Sequence, residues 1–246
     1  MQLWTTLQAI LPAPLNPGFL LCMHILACTD IHGAYDTVID ILTAEPGVDV
    51  LIIGGDLTTH GTPEEATRAI GQFQQFGIPV LAVAGNMDLP SFEHAYDTLG
   101  VNISGRGIVI ENVGFFGVAG SPLTPMHTPY EIPEALIRER AESGWRDVQS
   151  SRWKVFVPHA PPLGTSLDRI FSGRHVGSRA VREFVDQSQP DVLLCGHIHE
   201  ARGVNQLGNT RMVNCGSAAR GFFASVEIVD SVTINLREHR PKQRNP

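Results

Sequence analysis

Asp191-Val192-Leu193-Leu194-Cys195-Gly196-His197-Ile198-His199 joins an apolar run to two histidines spaced i, i+2. Side chains of an extended segment alternate faces, so this spacing turns both imidazoles to one side of the chain. Gly196 ahead of them permits a sharp turn or a close approach to another group. Such a pair can ligate one metal ion, or two that sit side by side. Taken alone, the pattern is equally that of a polar turn after a buried strand. Upstream stretches repeat it. Ile25-Leu26-Ala27-Cys28-Thr29 runs into Asp30-Ile31-His32, and Val50-Leu51-Ile52-Ile53-Gly54 into Gly55-Asp56. Pro79-Val80-Leu81-Ala82-Val83 precedes Gly85-Asn86-Met87-Asp88, and Val155-Phe156-Val157-Pro158 precedes His159. Five apolar runs thus each deliver Asp, Asn or His at the C-terminal end.

Helical patterns separate the first of these runs. Tyr35 to Ala44 carries Val38, Ile41 and Leu42 at helical spacing, and Pro46 follows. Thr62-Pro63-Glu64-Glu65 reads as a helix start, with a capping hydroxyl, Pro in the first turn and acids at the positive end of the dipole. That helix is expected to reach about Phe76 and stop at Gly77, and a short one to begin at Pro90. Strand and helix alternate here as βαβ units do, which predicts a parallel sheet. Ligands of such sheets collect at the carboxyl ends of strands, where these polar residues fall.

Beyond residue 101 the texture changes. Val101–Ile103, Ile108–Ile110 and Val113–Val118 are short apolar runs parted by Gly and Asn, predicting antiparallel pairing. Ser121 to Pro129 is a Pro-rich loop holding His127, and Glu131 to Ser143 reads as an exposed helix. A strand Lys154–Val157 reaches His159, and the long loop Ala160 to His175 carries Arg169, Arg174 and His175. A helix over 176–187 leads back to the opening segment, and strands follow at Val204, Arg211–Asn214, Phe222–Val229 and Val232–Leu236.

The 246 residues suffice for one large domain with a substantial core. It is placed at 23–240, with Met23 opening its first strand. Residues 1–22 read as an N-terminal extension outside the core. They lack the basic start of a signal peptide, and Pro12, Pro14 and Pro17 interrupt their apolar run. A start codon placed too early is the expectation for them, the alternative being a loosely packed or membrane-touching extension. A formal charge of −7 speaks against nucleic acid as a partner, since phosphate backbones call for a basic footprint. Cys22, Cys28, Cys195 and Cys215 show no C-x-x-C pairing and read as reduced residues of a cytoplasmic protein. No run reaches the roughly 18 apolar residues of a membrane span, so no membrane partner is expected.

Gathered at one sheet edge, the strand-end residues are Asp30, His32, Asp56, Asn86, His159, His197 and His199. Seven donors exceed what one ion normally uses, so two ions sharing a carboxylate is the economical reading. Mixed imidazole and carboxylate donors suit Mn, Fe, Zn or Ni more than Mg or Ca. Two such ions lower the pKa of a bridging water and neutralise a phosphoryl group on both sides of an in-line displacement.

The ordered set D-x-H, G-D, G-N-x-D, an isolated His and G-H-x-H resembles the calcineurin-like metallophosphoesterases over about 23–237. Its short chain is similar to the small prokaryotic phosphodiesterase-like branch. The resemblance implies an α/β fold, a four-layer αββα sandwich of two mixed β-sheets flanked by helices. It also implies two divalent metal ions, one held by Asp30, His32, Asp56 and His199 and the other by Asp56, Asn86, His159 and His197. Asp56 would bridge them. Catalytic roles are expected of Asp56, Asn86, Asp88 and His159. The activity implied is hydrolysis of a small phosphodiester or phosphomonoester, nucleotide-like substrates included. The alternatives are a protein or small-molecule phosphatase, and a non-catalytic metal-binding scaffold of the same fold. The family pattern is broken at Met87, where a histidine thought to protonate the leaving group usually follows the asparagine. Substrate contacts are sought at His60, His127, Arg174 and His175, and Arg202 is a further guanidinium suited to phosphate.

Overall fold

The computed structural model describes residues 22–240, so nearly all of the expected 1–22 extension lies outside the described residues. The first half alternates as the sequence predicts: β1 (Met23–Cys28), α1 (Tyr35–Ala44), β2 (Val50–Gly54), α2 (Pro63–Gln74), β3 (Val80–Val83) and α3 (Phe92–Thr98). Next come β4 (Gly107–Ile110), β5 (Val113–Val118), two-residue strands β6 (Ser121–Pro122) and β7 (Glu131–Ile132), and α4 (Glu134–Val148). The chain closes with β8 (Trp153–Pro158), α5 (Arg179–Ser188), β9 (Val192–Cys195), β10 (Gly203–Leu207), β11 (Thr210–Asn214), β12 (Phe222–Ile228) and β13 (Val232–Glu238).

Two mixed sheets result, in the orders β13-β12-β1-β2-β3 and β10-β11-β9-β8-β5-β4. Parallel pairs β1–β2 and β2–β3 form the middle of the first, and β5–β8, β8–β9 and β9–β11 that of the second. Their strands are buried along almost their whole length, as expected for sheets covered on both faces. The sheets face each other closely, Gly117 of β5 lying against Val83 of β3. Helix α2 packs on the first sheet with α1 and α3 beside it, and α4 packs on the second with α5 beside it. On that side Phe116, Phe156 and Phe184 cluster with Trp145, the Phe116 and Phe156 rings stacked at 4.7 Å. Each such ring contributes about 1.5–3 kcal/mol by burial. The fold is the four-layer αββα sandwich.

Local signals account for most element boundaries. Thr62 accepts the Glu65 N–H at 3.3 Å, Pro63 occupies the first turn, and Ala66, Ala69, Ile70 and Phe73 form the buried stripe of α2. Three expectations need correction. Val101–Ile103 does not pair antiparallel; its backbone bonds Ala82 of β3 in a parallel bridge, because the end of α3 drops the chain beside that strand. The helix expected over Glu131 to Ser143 starts at Glu134 and runs to Val148, and it is not simply exposed. Ile137, Ala141, Gly144 and Val148 are buried against β4 and β5, a stripe whose small residues give little hydrophobic signal. The helix expected over 176–187 begins at Arg179, where Ser178 accepts the Val181 N–H at 3.1 Å and so sets the start.

Candidate metal centre

The carboxyl ends of β1, β2, β3, β8 and β9 meet at one edge between the two sheets. Asp30, Asp56, Asn86 and His159 are almost entirely buried there, and His32, His197 and His199 are partly open to solvent. Four of these seven residues sit in the left-handed region: Asp30 (φ 54°), His32 (φ 48°), Asp56 (φ 51°) and His197 (φ 67°). Asp and His tolerate that region better than most side chains, yet each such position still costs about 1–3 kcal/mol. Backbone bonds enforce it. Asp30 and His32 donate to the carbonyls of Gly55 and Asp56 at 3.0 and 2.9 Å, and Gly196 donates to that of His159 at 3.1 Å.

Side-chain donors converge on the same point. His199 Nε2 lies 3.2 Å from Asp30 Oδ1, and the Asp30 carboxylate also accepts the His197 N–H at 3.1 Å. Asp56 turns its oxygens to different histidines, Oδ2 being 3.8 Å from His32 Nε2 and Oδ1 3.6 Å from His159 Nε2. Asn86 Oδ1 is shared by His159 Nε2 at 2.9 Å and His197 Nδ1 at 2.7 Å. Outer contacts orient the rings, as metal-ligating histidines require. His159 Nδ1 faces the Gly54 carbonyl at 2.9 Å, and His32 Nδ1 the Thr59 hydroxyl at 2.9 Å.

The donor atoms of Asp30, His32 and His199 lie within 4.8 Å of one another, as do those of Asp30, Asp56 and His159. Asp30 is common to both triads, whereas the family pattern assigns the bridge to Asp56. The Asp30 carboxylate is turned into the His197–His199 turn, while the Asp56 oxygens divide between His32 and His159.

Electrostatics show that this cluster demands positive charge. Burial would raise the Asp30 carboxyl, but the hydrogen bond from His199 and the charges of His159 and His199 hold it at about 2. Burial would likewise lower His159, but the charge and hydrogen bond of Asp56, then the charge of Asp30, raise it to about 9. His199 is raised by its hydrogen bond to Asp30, and His197 is lowered to about 4 by burial and by the charge of His159. Protons on imidazole therefore balance the carboxylates where cations would, and the oxygen and nitrogen donor set fits divalent ions.

A pH dependence follows. Below about 9 the free protein holds a proton on His159 that a metal ion must displace, so affinity should rise with pH, by about tenfold per unit for each proton released. Calorimetric titrations in buffers of different ionisation enthalpy should register the released proton. An affinity flat between about pH 6 and 8 would contradict a ligand role for His159.

The remaining expected residues divide. Asp88 does not face the site: it is fully buried, and its oxygens accept the Leu57, Thr58 and Gly85 N–H groups and the Thr58 hydroxyl at 2.8–3.1 Å. It ties the loop after β2 to the loop after β3, so its oxygens are occupied there and not turned to the cluster where a catalytic role was expected. Burial, then the charge of Asp56, raises its carboxyl to about 6. A cavity of about 740 Å³ opens over the centre, lined by His32, Asp56, Asn86, His197 and His199 on its floor. Met87, Leu123, Met126, Leu163, Ile170, Val176 and Ile198 make much of its wall apolar. His175 is part of that wall, whereas His60, His127 and Arg174 are exposed outside the lining. Arg202 lies outside the cavity lining: it stacks on Phe222 at 4.4 Å and donates to the carbonyls of Cys215 and Arg237.

The sequence reading missed two charged lining residues, Arg179 and Glu134. Arg179 stands in the first turn of α5, where the dipole disfavours a cation, and that misplacement was the available signal. The Glu134 carboxylate answers it by accepting the N–H groups of Arg179 and Ala180, both at 2.9 Å.

Comparisons with known proteins agree with this fold. An uncharacterized protein of Methanocaldococcus jannaschii is 31% identical over 78% of this chain and 87% of its own. A UPF0046 protein of Caenorhabditis elegans is 32% identical over 81% of this chain and 71% of its own. A probable cyclic nucleotide phosphodiesterase of Synechococcus is 25% identical over 71% of this chain and 66% of its own. Among solved structures, a Thermus thermophilus protein superposes with a TM-score of 0.68 at 16% identity, over 87% of this chain and 99% of its own. A dimetal phosphatase from Danio rerio gives 0.62 at 10% identity, over 88% of this chain and 96% of its own. Residues 23–201 match the profile described as calcineurin-like phosphoesterase. With most of the chain covered and the donor set in place, this protein belongs to the calcineurin-like phosphoesterase family.

Proposed function

We propose that the protein hydrolyses small phosphodiesters at a centre of two divalent cations that share Asp56. The observation that carries this reading is the division of the Asp56 oxygens between His32 on one side and His159 on the other. Asp30, His32, Asp56 and His199 would hold one cation, and Asp56, Asn86, His159 and His197 the second. Bound there, the cations would supply the Lewis acidity that activates water and offsets charge on the phosphoryl oxygens. The chain's own contribution is to hold the donors rigid. Gly54 and Thr59 orient imidazoles, Asp88 fastens the two loops, and left-handed backbone aims Asp30, Asp56 and His197 inward.

A diester is favoured over a monoester by the cavity wall. Apolar side chains beside the donors can seat a second ester group but offer nothing to a dianion. The name of the Synechococcus relative, a probable cyclic nucleotide phosphodiesterase, supports the same choice. The experiment is a panel of mono- and diesters, assayed with metal-free protein reloaded separately with Mn, Fe, Zn, Ni or Mg. Two ions per chain and diester turnover at least about tenfold faster than monoester are expected, a difference of about 1.4 kcal/mol in the barrier. Full metal occupancy without turnover would point to the scaffold alternative.

A further inference from the structure

Met87 lines the cavity beside Asn86, and its thioether cannot protonate a leaving group. Of the three loop histidines suggested by sequence, His175 alone lines the cavity. Its Nδ1 lies 2.7 Å from Asp168 Oδ1, and its side chain is 41% exposed while that of Asp168 is wholly buried. The same carboxylate accepts the N–H groups of Gly164, Thr165 and Gly177, each at 3.0 Å. Val176 donates to the Asp168 carbonyl at 3.1 Å and Ile170 to that of Arg174 at 3.0 Å, so the turn carrying His175 is fastened at both ends. With Nδ1 committed to Asp168, Nε2 is the nitrogen left for the cavity. This is the geometry of an acid–base imidazole held by a buried carboxylate.

We infer that His175, positioned by Asp168, is the general acid of this site. This rests on the phosphodiesterase reading above. As water attacks phosphorus and sheds a proton to solvent, the bond to the leaving oxygen breaks and the Nε2 proton of imidazolium passes to that oxygen. The alcohol leaves neutral, and the imidazole recovers a proton from solvent. His175 is the catalytic residue in this scheme, and Asp168 a positioning residue.

The test is a series of diesters whose leaving groups run from nitrophenol to simple alcohols. It is assayed with wild type, His175→Ala and His175→Gln at verified metal content. Wild-type rates should vary little along the series. His175→Ala should lose about 10²–10⁴-fold on alkyl esters and far less on nitrophenyl esters, which depart without a proton. His175→Gln should behave like alanine, since an amide can bond Asp168 but cannot serve as the acid. Rescue by glutamine, equal losses along the series, or a steep wild-type slope would each overturn the inference while leaving the phosphodiesterase reading standing. Failure of wild type to cleave any ester would overturn both. A readout independent of turnover is the proton on His175 Nδ1 in NMR spectra of the metal-free protein. It should appear far downfield and vanish in His175→Ala and Asp168→Asn, and its absence from wild type would also overturn the dyad.

Discussion

Asp56→Asn should abolish turnover and strip metal from both positions at once. The substitution preserves shape, and an asparagine oxygen can still accept the Met87 N–H that now reaches Asp56 Oδ1 at 2.7 Å, so the loop after β3 should keep its place. What disappears is the negative charge and the second anionic oxygen. One faces His32 across 3.8 Å and the other His159 across 3.6 Å, so a shared cation pair would lose a ligand on each side. Removal of an outer-shell partner alone typically weakens metal binding about 10–100-fold, and loss of an inner carboxylate should exceed about 100-fold at each position. Elemental analysis after equilibration at limiting metal measures this directly. Asp30→Asn is the necessary comparison, because Asp30 belongs to both donor triads. If Asp56 is the bridge, Asp30→Asn should release the ion beside His32 and His199 first and keep the other. The reverse pattern would make Asp30 the shared ligand.

How far the centre could be read from sequence depends on the range of the interactions involved. The five strand ends were legible because each depends on local chemistry, an apolar run ending at a turn. Parallel sheets then bring such ends together whatever the loops do. His197 and His199 were legible for the same reason, their spacing alone putting both beside the β9 terminus. The fate of Asp88 was not, because its four partners come from turns after β2 and β3 that meet only in the folded chain. Nothing local distinguishes a carboxylate aimed at a metal from one that staples backbone amides. Arg202 misled similarly: a guanidinium chemically suited to phosphate is consumed by Phe222 and two carbonyls through the pairing of distant strands. Arg179 and Glu134 escaped because the chain positions that make them a pair lie 45 residues apart. His175 could be proposed but not chosen over His60 and His127, since its buried partner Asp168 is fixed by the closure of a loop rather than by any pattern of period two or 3.6.

A single methyl group should separate the strain stored at this centre from the general tolerance of the fold. Gly85 stands one residue before Asn86, and a Cβ built there would collide with the backbone nitrogen and Oδ1 of Asp56 and come within 2.7 Å of its Cγ. These atoms cannot move aside cheaply. The Asp56 backbone is already left-handed at φ 51°, its carbonyl receives the N–H groups of Ile31 and His32, and its carboxylate is held by Met87. Gly85→Ala should therefore displace the carboxylate, cost roughly 1–3 kcal/mol as overpacked sites do, and lower metal occupancy together with turnover. Gly71 provides the contrast. It lies within α2, where an added methyl would meet nothing within 4 Å and φ is not left-handed, so Gly71→Ala should stabilise by about 0.5–1 kcal/mol through helix propensity alone. Thermal or urea melts of the two variants should move in opposite directions, with metal content altered only in the first. Equal metal binding by Gly85→Ala and wild type would mean that the Asp56 carboxylate can shift without loss, and the centre would then owe its geometry to the ions rather than to the chain.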